Sequence, residues 1–221
     1  MGNITALSLI ERAGTIIQDE TNIRWPQDEL LKWLNDGQRE IVLHKPSSYP
    51  QDGTKSLVAG TKQTIPTDGI ALIDIPRNEV GKKRAIRIVE REILDAQRPE
   101  WHDETPSQEV RHYVFDNRNP KHFFVYPPNN GSGEVNVIYS AAPVDIGIGD
   151  TITIDDIYAN ALLDYIIYRA STKDADYALN DRRAEAMYRT FLNSLGVLDQ
   201  RQKIEEPNVV TKSSISERYT G

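Results

Sequence analysis

The chain has 221 residues, with 26 Lys plus Arg against 33 Asp plus Glu, a net charge of -7 and no cysteine. The charge has the wrong sign for a protein that gains affinity by neutralising phosphates, and the missing cysteines exclude disulfides, thiol catalysis and cysteine-based zinc or iron–sulfur sites. No run approaches the ~18 uninterrupted apolar residues of a membrane span, and the start, "MGNITALSLIERAG", lacks a basic flank, so the sequence reads as soluble and unprocessed, without membrane contact.

Residues 4–19 place Ala6, Leu9, Ile10, Ala13, Ile16 and Ile17 at helical spacing, with Asn3 or Thr5 as cap. After "DETNIRW", Pro26 suits a first helical position, where its missing N–H costs nothing, and Asp28 and Glu29 favour the positive end of the helix dipole. This second predicted helix runs to about His44 with Leu30, Leu34, Gly37 and Ile41 on one side and Trp33 nearby. Gly37 costs a helix interior about 1 kcal/mol relative to Ala, which implies a close helix contact there.

From Lys55 to Ile154 the period changes to two. "KSLVA", "KQTIP", "ALIDIP", "RAIRIVEREIL", "EVRHYVFD", "KHFFVYP", "EVNVIYSAAP" and "TITI" are β-branched or aromatic runs punctuated by Gly, Pro, Asn and Asp, the pattern of an antiparallel β module. "DAQRPEWHDETPSQ" reads as an exposed loop. The densest cationic patch, Lys82, Lys83, Arg84, Arg87 and Arg91, alternates with Ile86, Ile88 and Val89 and reads as the solvated face of a strand.

Two more helices follow, from Asp155 to about Thr172 and from about Asp181 to Leu195, the latter closed by Gly196 as a left-handed cap. In the first of them, eleven of the fourteen residues from Ile157 to Ala170 are apolar or aromatic, broken by Asn160, Asp164 and Arg169. A helix apolar nearly all round needs cover on several sides. In a chain with 38% hydrophobic residues, either its own helices wrap this one or neighbouring copies do, and copies are expected to supply part of the cover. Tyr165, Tyr168 and Arg169 are the interface candidates on this helix, since tyrosine and arginine are enriched at protein contacts.

The expected fold class is thus α+β, a four-helix bundle from residues 1–54 and 155–198 with an antiparallel β-rich insertion at 55–154 and an extended C-terminal arm at 199–221. The arm is too poor in apolar residues to form a core of its own. Its interface candidates are Val209, Val210, Ile215, Arg218 and Tyr219, which would order on a partner.

The chemistry-bearing patterns are sparse. His112 and His122 lie in adjacent predicted strands and "WHDE" groups His102 with Asp103 and Glu104, yet no HxxxH or HxH spacing sets two ligands on one face. "GTKQTIPTDG" lacks the phosphate-loop pattern, and neither GxGxxG nor GxSxG occurs. No metal, cofactor or catalytic residue is expected.

Taken in order, "RWPQDELLKWLNDGQREIVLHKP", "LVAGTKQTIP", "RAIRIVEREILDAQRPEWH", "VRHYVFDNRNPKHFFVYPP" and "YANALLDYIIYRASTKDADYA…RAEAMYRTFLNSLG" resemble a family of tailed-bacteriophage head-to-tail adaptor, or connector, proteins. The resemblance implies a noncatalytic virion protein at the head-to-tail interface, made in the bacterial cytoplasm. It implies a ring, commonly of twelve copies, that binds the portal on one side and a tail or nozzle protein on the other, with DNA passing through its channel. The rival expectations are another tail-completion protein of similar build, a DNA-packaging factor, and a hydrolase using carboxylates.

Overall fold

The computed structural model describes residues 3–116, 118–173 and 178–205. Its elements are α1 (Ala6–Ile17), α2 (Gln27–His44), β1 (Pro50–Ser56), β2 (Gly60–Thr64), β3 (Gly69–Asp74), β4 (Arg87–Ile88), α3 (Arg91–Gln97), β5 (His112–Phe115), β6 (His122–Asn129), β7 (Glu134–Ala141), α4 (Ala159–Lys173) and α5 (Ala178–Glu205). They form two compact units, a β-rich one of Gln38–Asp145 with Thr153–Asp155 and a helical one that includes residues 3–37, 146–152, 156–173 and 178–205.

The α+β class stands, but the four-helix bundle with a β insertion does not. Among the described residues there are five α-helices and two sheets of seven strands in total. The division falls between Gly37 and Gln38, within α2, and α3 lies among the strands. A period of 3.6 shows that a segment is helical; it says nothing about which body the helix joins. The end of the last helix is corrected as well. α5 continues through Gly196 to Glu205, so Gly196 is not a cap and the expected arm begins as helix.

In the β-rich unit, β7 is the centre of an antiparallel sheet of order β1-β7-β3. Val135, Val137, Tyr139 and Ala141 alternate along it into a core with Leu57, Leu72, Ile75, Val110, Tyr113, Phe123 and Val125. The second sheet has the order β2-β6-β5-β4. Its edge strand β4 pairs parallel to β5, so the module is not antiparallel throughout.

The other face of this second sheet carries Val114 and Tyr126, and Leu94 of α3 and Trp101 cover them. "RAIRIVEREIL" is therefore not one strand, because a helix is needed to shield that face. The segment read as an exposed loop contains Trp101, buried with its indole N–H donating to Asp95 Oδ1 at 2.8 Å. Thr151 of "TITI" makes an isolated bridge with Thr5 instead of a strand.

Buried amides close the turns of this unit. Asn78 Nδ2 donates to the carbonyls of Arg84 (2.9 Å) and Val110 (2.8 Å), and its Oδ1 accepts from the Val110 N–H (2.9 Å). Asn129 does likewise, donating to Ser107 and Gln108 and accepting from Gly131 and Gly133. A Cβ at Gly133 would collide with the Asn129 amide and with the Gln108 carbonyl, which explains glycine there.

In the helical unit, Thr5 caps α1 by accepting from the Ser8 N–H (3.3 Å), and Ala6, Leu9, Ile10 and Ala13 are buried. Ile16, expected on the same face, is exposed. Asp19 then organises the link to α2, its carboxylate accepting from the N–H groups of Ile23 (3.0 Å), Arg24 (2.9 Å) and Trp25 (2.7 Å). Pro26 precedes α2 and supplies a carbonyl to Glu29 and Leu30.

Asn78→Ala would leave the Val110 N–H and two carbonyls without their partner. It is expected to lower unfolding stability by ~1–3 kcal/mol in a denaturant titration, and an unchanged midpoint would show that these turns hold without the amide.

Candidate functional site

The sequence concentrates apolar and tyrosine side chains on α4. Ala159, Ala161, Leu162, Leu163, Tyr165, Ile166, Ile167 and Ala170 are all buried within the chain itself. α4 packs against α1 and α5. Gly37 of α2 approaches so closely that a Cβ there would stand 3.0 Å from Tyr165 Cδ1 and 3.1 Å from Leu162 Cδ2. The close contact read from Gly37 is therefore present, and α4 is its object. The expectation that other copies must shield this helix is overturned, because one molecule shields it.

Tyr165 lies inside this packing, its ring 5.4 Å from that of Phe191. Tyr168 tilts at 4.9 Å against Tyr188, which in turn lies 5.8 Å from Phe191. Period-3.6 contacts between α4 and α5 thus place three tyrosines and a phenylalanine in one seam.

At the edge of the seam is a cleft of about 350 Å³ lined by Glu29, Trp33, Tyr168, Arg169, Thr172 and Lys173. Lys173 Nζ reaches both Glu29 oxygens (2.6 and 2.7 Å) and lies 5.3 Å from the centroid of the Trp25 ring, which tilts against Trp33 at 5.7 Å. Arg169 Nη1 donates to the Tyr165 hydroxyl at 3.4 Å. Of the interface candidates, then, Tyr165 is buried while Tyr168 and Arg169 are half-buried on a cleft wall. Val209, Val210, Ile215, Arg218 and Tyr219 lie outside the described residues.

From the sequence, Glu29 has only a place at the start of a helix and Lys173 has no role. They are 144 positions apart and carry no mutual signal; folding alone brings them together.

Asp164, the acidic interruption of α4, has no hydrogen bond or ion pair among the described residues, and burial pushes its carboxyl above the usual carboxylate range. It does not meet Arg169.

His112 and His122 do not converge. His112 faces Tyr126 at one end of the β5–β6 pair, whereas His122 lies at the other end, beyond the Phe115–Phe123 pair. His102 stacks on Trp101 at 3.7 Å and its Nδ1 lies 2.8 Å from Thr61 Oγ1. Among the described residues, no three His, Asp or Glu side chains are grouped to hold a metal ion. The cationic run is no strand face: β4 spans Arg87–Ile88 alone, Lys83 sits in a left-handed turn at φ 52°, and Arg91 opens α3.

A family model described as SU10 adaptor protein matches residues 4–211, nearly the whole chain. The chain belongs to the SU10 adaptor protein family. This is a phage head-to-tail adaptor family, so the adaptor is a component of a phage particle that interacts with other phage structural proteins. Comparison with curated proteins gives no match. Among the described residues, no helix of the adaptor is long and apolar enough to cross a membrane.

Gly37→Val would force branched methyl groups into Leu162 and Tyr165 and is expected to destabilise by ~1–3 kcal/mol in thermal unfolding; an unchanged melt would mean that α4 can recede without loss. Asp164→Asn should stabilise the isolated chain at neutral pH. With its folded value raised, the carboxyl binds its proton more tightly in the folded state, so the charge weakens the fold above that value and ceases to do so as pH falls into the carboxylate range. The gain is at most ~1 kcal/mol because the group is partly screened by solvent, and a stability difference that persists at acid pH would refute this account.

Proposed function

We propose that the adaptor is a noncatalytic structural protein that assembles as a ring between the portal and the tail and leaves a channel through which DNA passes. The family match over residues 4–211 carries this reading. Twelve copies is the number that the resemblance implies. In a cyclic assembly each copy meets two others through unlike surfaces. Tyr168 and Arg169, half-buried on the rim of the α4 cleft, are the lateral contacts we assign on this basis, with Tyr165 setting their position from beneath. Residues beyond Glu205 are assigned to the portal or a neighbouring copy, and a tail or nozzle protein to the opposite side of the ring.

This function is tested by mixing the purified chain with the portal of the same phage and examining the product by electron microscopy and mass. A ring near twelve times 25.1 kDa on the portal is expected. A chain that stays monomeric with portal present would sink the ring, whereas association with a finished tail instead would point to a tail-completion protein. Tyr168→Ala and Arg169→Ala should reduce assembly by about tenfold or more, the loss that ~1.4 kcal/mol at a contact produces; because Tyr168 also packs on Tyr188, assembly is compared at a temperature where both variants are folded, and assembly equal to wild type would remove the role given to these two residues. Deleting residues 206–221 should weaken attachment to the portal without unfolding the chain; equal attachment would remove the role given to that segment.

A further inference from the structure

The arginines of the β-rich unit fall into two groups. Arg77 pairs with Glu79 (3.0 Å), Arg91 with Asp95 (3.3 Å), Arg98 with Glu104 (3.0 Å) and Arg118 with Asp116 (3.0 Å). Between Arg77 and Arg118 three remain, Arg84, Arg87 and Arg111, and none has a carboxylate within ion-pair distance among the described residues. These three line a single cleft of about 300 Å³ together with Ala85 and His112. In an acidic chain whose neighbouring arginines are all paired, three unpaired guanidinium groups around one cleft repel one another and are relieved by an anion.

The backbone holds them there. Arg87 and His112 are register partners in the parallel β4–β5 pair, and the Arg87 N–H donates to the Arg111 carbonyl at 3.2 Å. The buried Asn78 amide bonds the carbonyls of Arg84 and Val110 together, which brings Arg84 beside Arg111. The Glu104 carboxylate, which feels Arg111, is already taken by Arg98 and by the Tyr126 hydroxyl at 2.9 Å. His112 adds a wall with Nδ1 buried and without a hydrogen-bond partner. Burial lowers its pKa, and Arg87, Arg111 and Arg84 push the same way against a backbone interaction with Arg87, so at neutral pH the ring brings no further charge.

From this arrangement we propose that the Arg84–Arg87–Arg111 cleft is a binding site for a phosphate group. A carboxylate offers two oxygens and one negative charge, enough for one guanidinium fork. A phosphate offers three or four oxygens and more charge, which matches several forks at once. At about 300 Å³ the cleft admits a free phosphate ion with its hydration water, which can engage several forks, or a phosphodiester of a DNA strand, which carries one charge and two free oxygens and engages fewer of them. The site stands on the chemistry of the cleft and is independent of ring formation.

The test uses the full chain, its Arg84→Ala/Arg87→Ala/Arg111→Ala variant and the matching triple lysine variant, titrated calorimetrically with inorganic phosphate and, by fluorescence anisotropy, with a labelled DNA duplex. The wild type should bind phosphate, the alanine variant about tenfold or more weakly, and the lysine variant in between, since lysine keeps the charge and loses the fork. Melting temperature should hold or rise, because no ion pair is removed. If the alanine variant fails to fold, Arg87→Gln alone supplies the comparison. Duplex binding that inorganic phosphate displaces identifies DNA as the source, and phosphate binding without duplex binding identifies the free ion. Equal binding by wild type and variants, no binding of either probe, or arginine-dependent binding of a polyglutamate peptide in their place would overturn the proposal.

Discussion

The close passage of α4 against Gly37 is the constraint on which the helical unit depends. A helix apolar on nearly every side must be enclosed, and enclosure requires at least one neighbour to come nearer than side chains normally permit. Gly37 provides that approach at a cost of about 1 kcal/mol in helix propensity, offset by the burial of Leu162 and Tyr165, each worth roughly 2 kcal/mol. With α1 and α5 on its other sides, α4 is closed within one molecule. Self-association is therefore not demanded by the apolar residues of α4 that this packing buries.

The β-rich unit has a different logic. Two sheets share a core, and the outer face of the second is sealed by α3 and Trp101. Turns between these elements are closed by side-chain amides whose donors and acceptors are used against the backbone, as at Asn78 and Asn129. Such fully satisfied amides rigidify their surroundings. At Asn78 that rigidity bears on function, because the segments it joins are the ones that carry Arg84 and Arg111.

Family membership assigns the chain to the phage particle, and the architecture is compatible with a part whose work is contact. Several chemistry-bearing residues of the β-rich unit are committed to its packing. His102, Asp95 and Glu104 are engaged in packing and hydrogen bonds with Trp101, Thr61, Arg98 and Tyr126. Groups engaged in this way hold the second sheet together, and the arginine cleft beside them is left with unspent charge.

Much of this was legible in the residues. The helical faces of α1 and α2, the Gly37 contact, the alternation of β7 and the resemblance carried by "RWPQDELLKWLNDGQREIVLHKP" and its companions are all local patterns, and local patterns survive in a linear text. The α+β class followed from them. Tertiary structure alone decided the rest: that α3 breaks an apparent strand to cover a sheet face, that α4 is shielded by its own molecule, that Lys173 meets Glu29 across 144 positions, and that Arg84, Arg87 and Arg111 share a cleft without a carboxylate. Periodicity reports which side of an element is buried, while the identity of what buries it depends on contacts between residues distant in the chain, and no spacing within a segment encodes them.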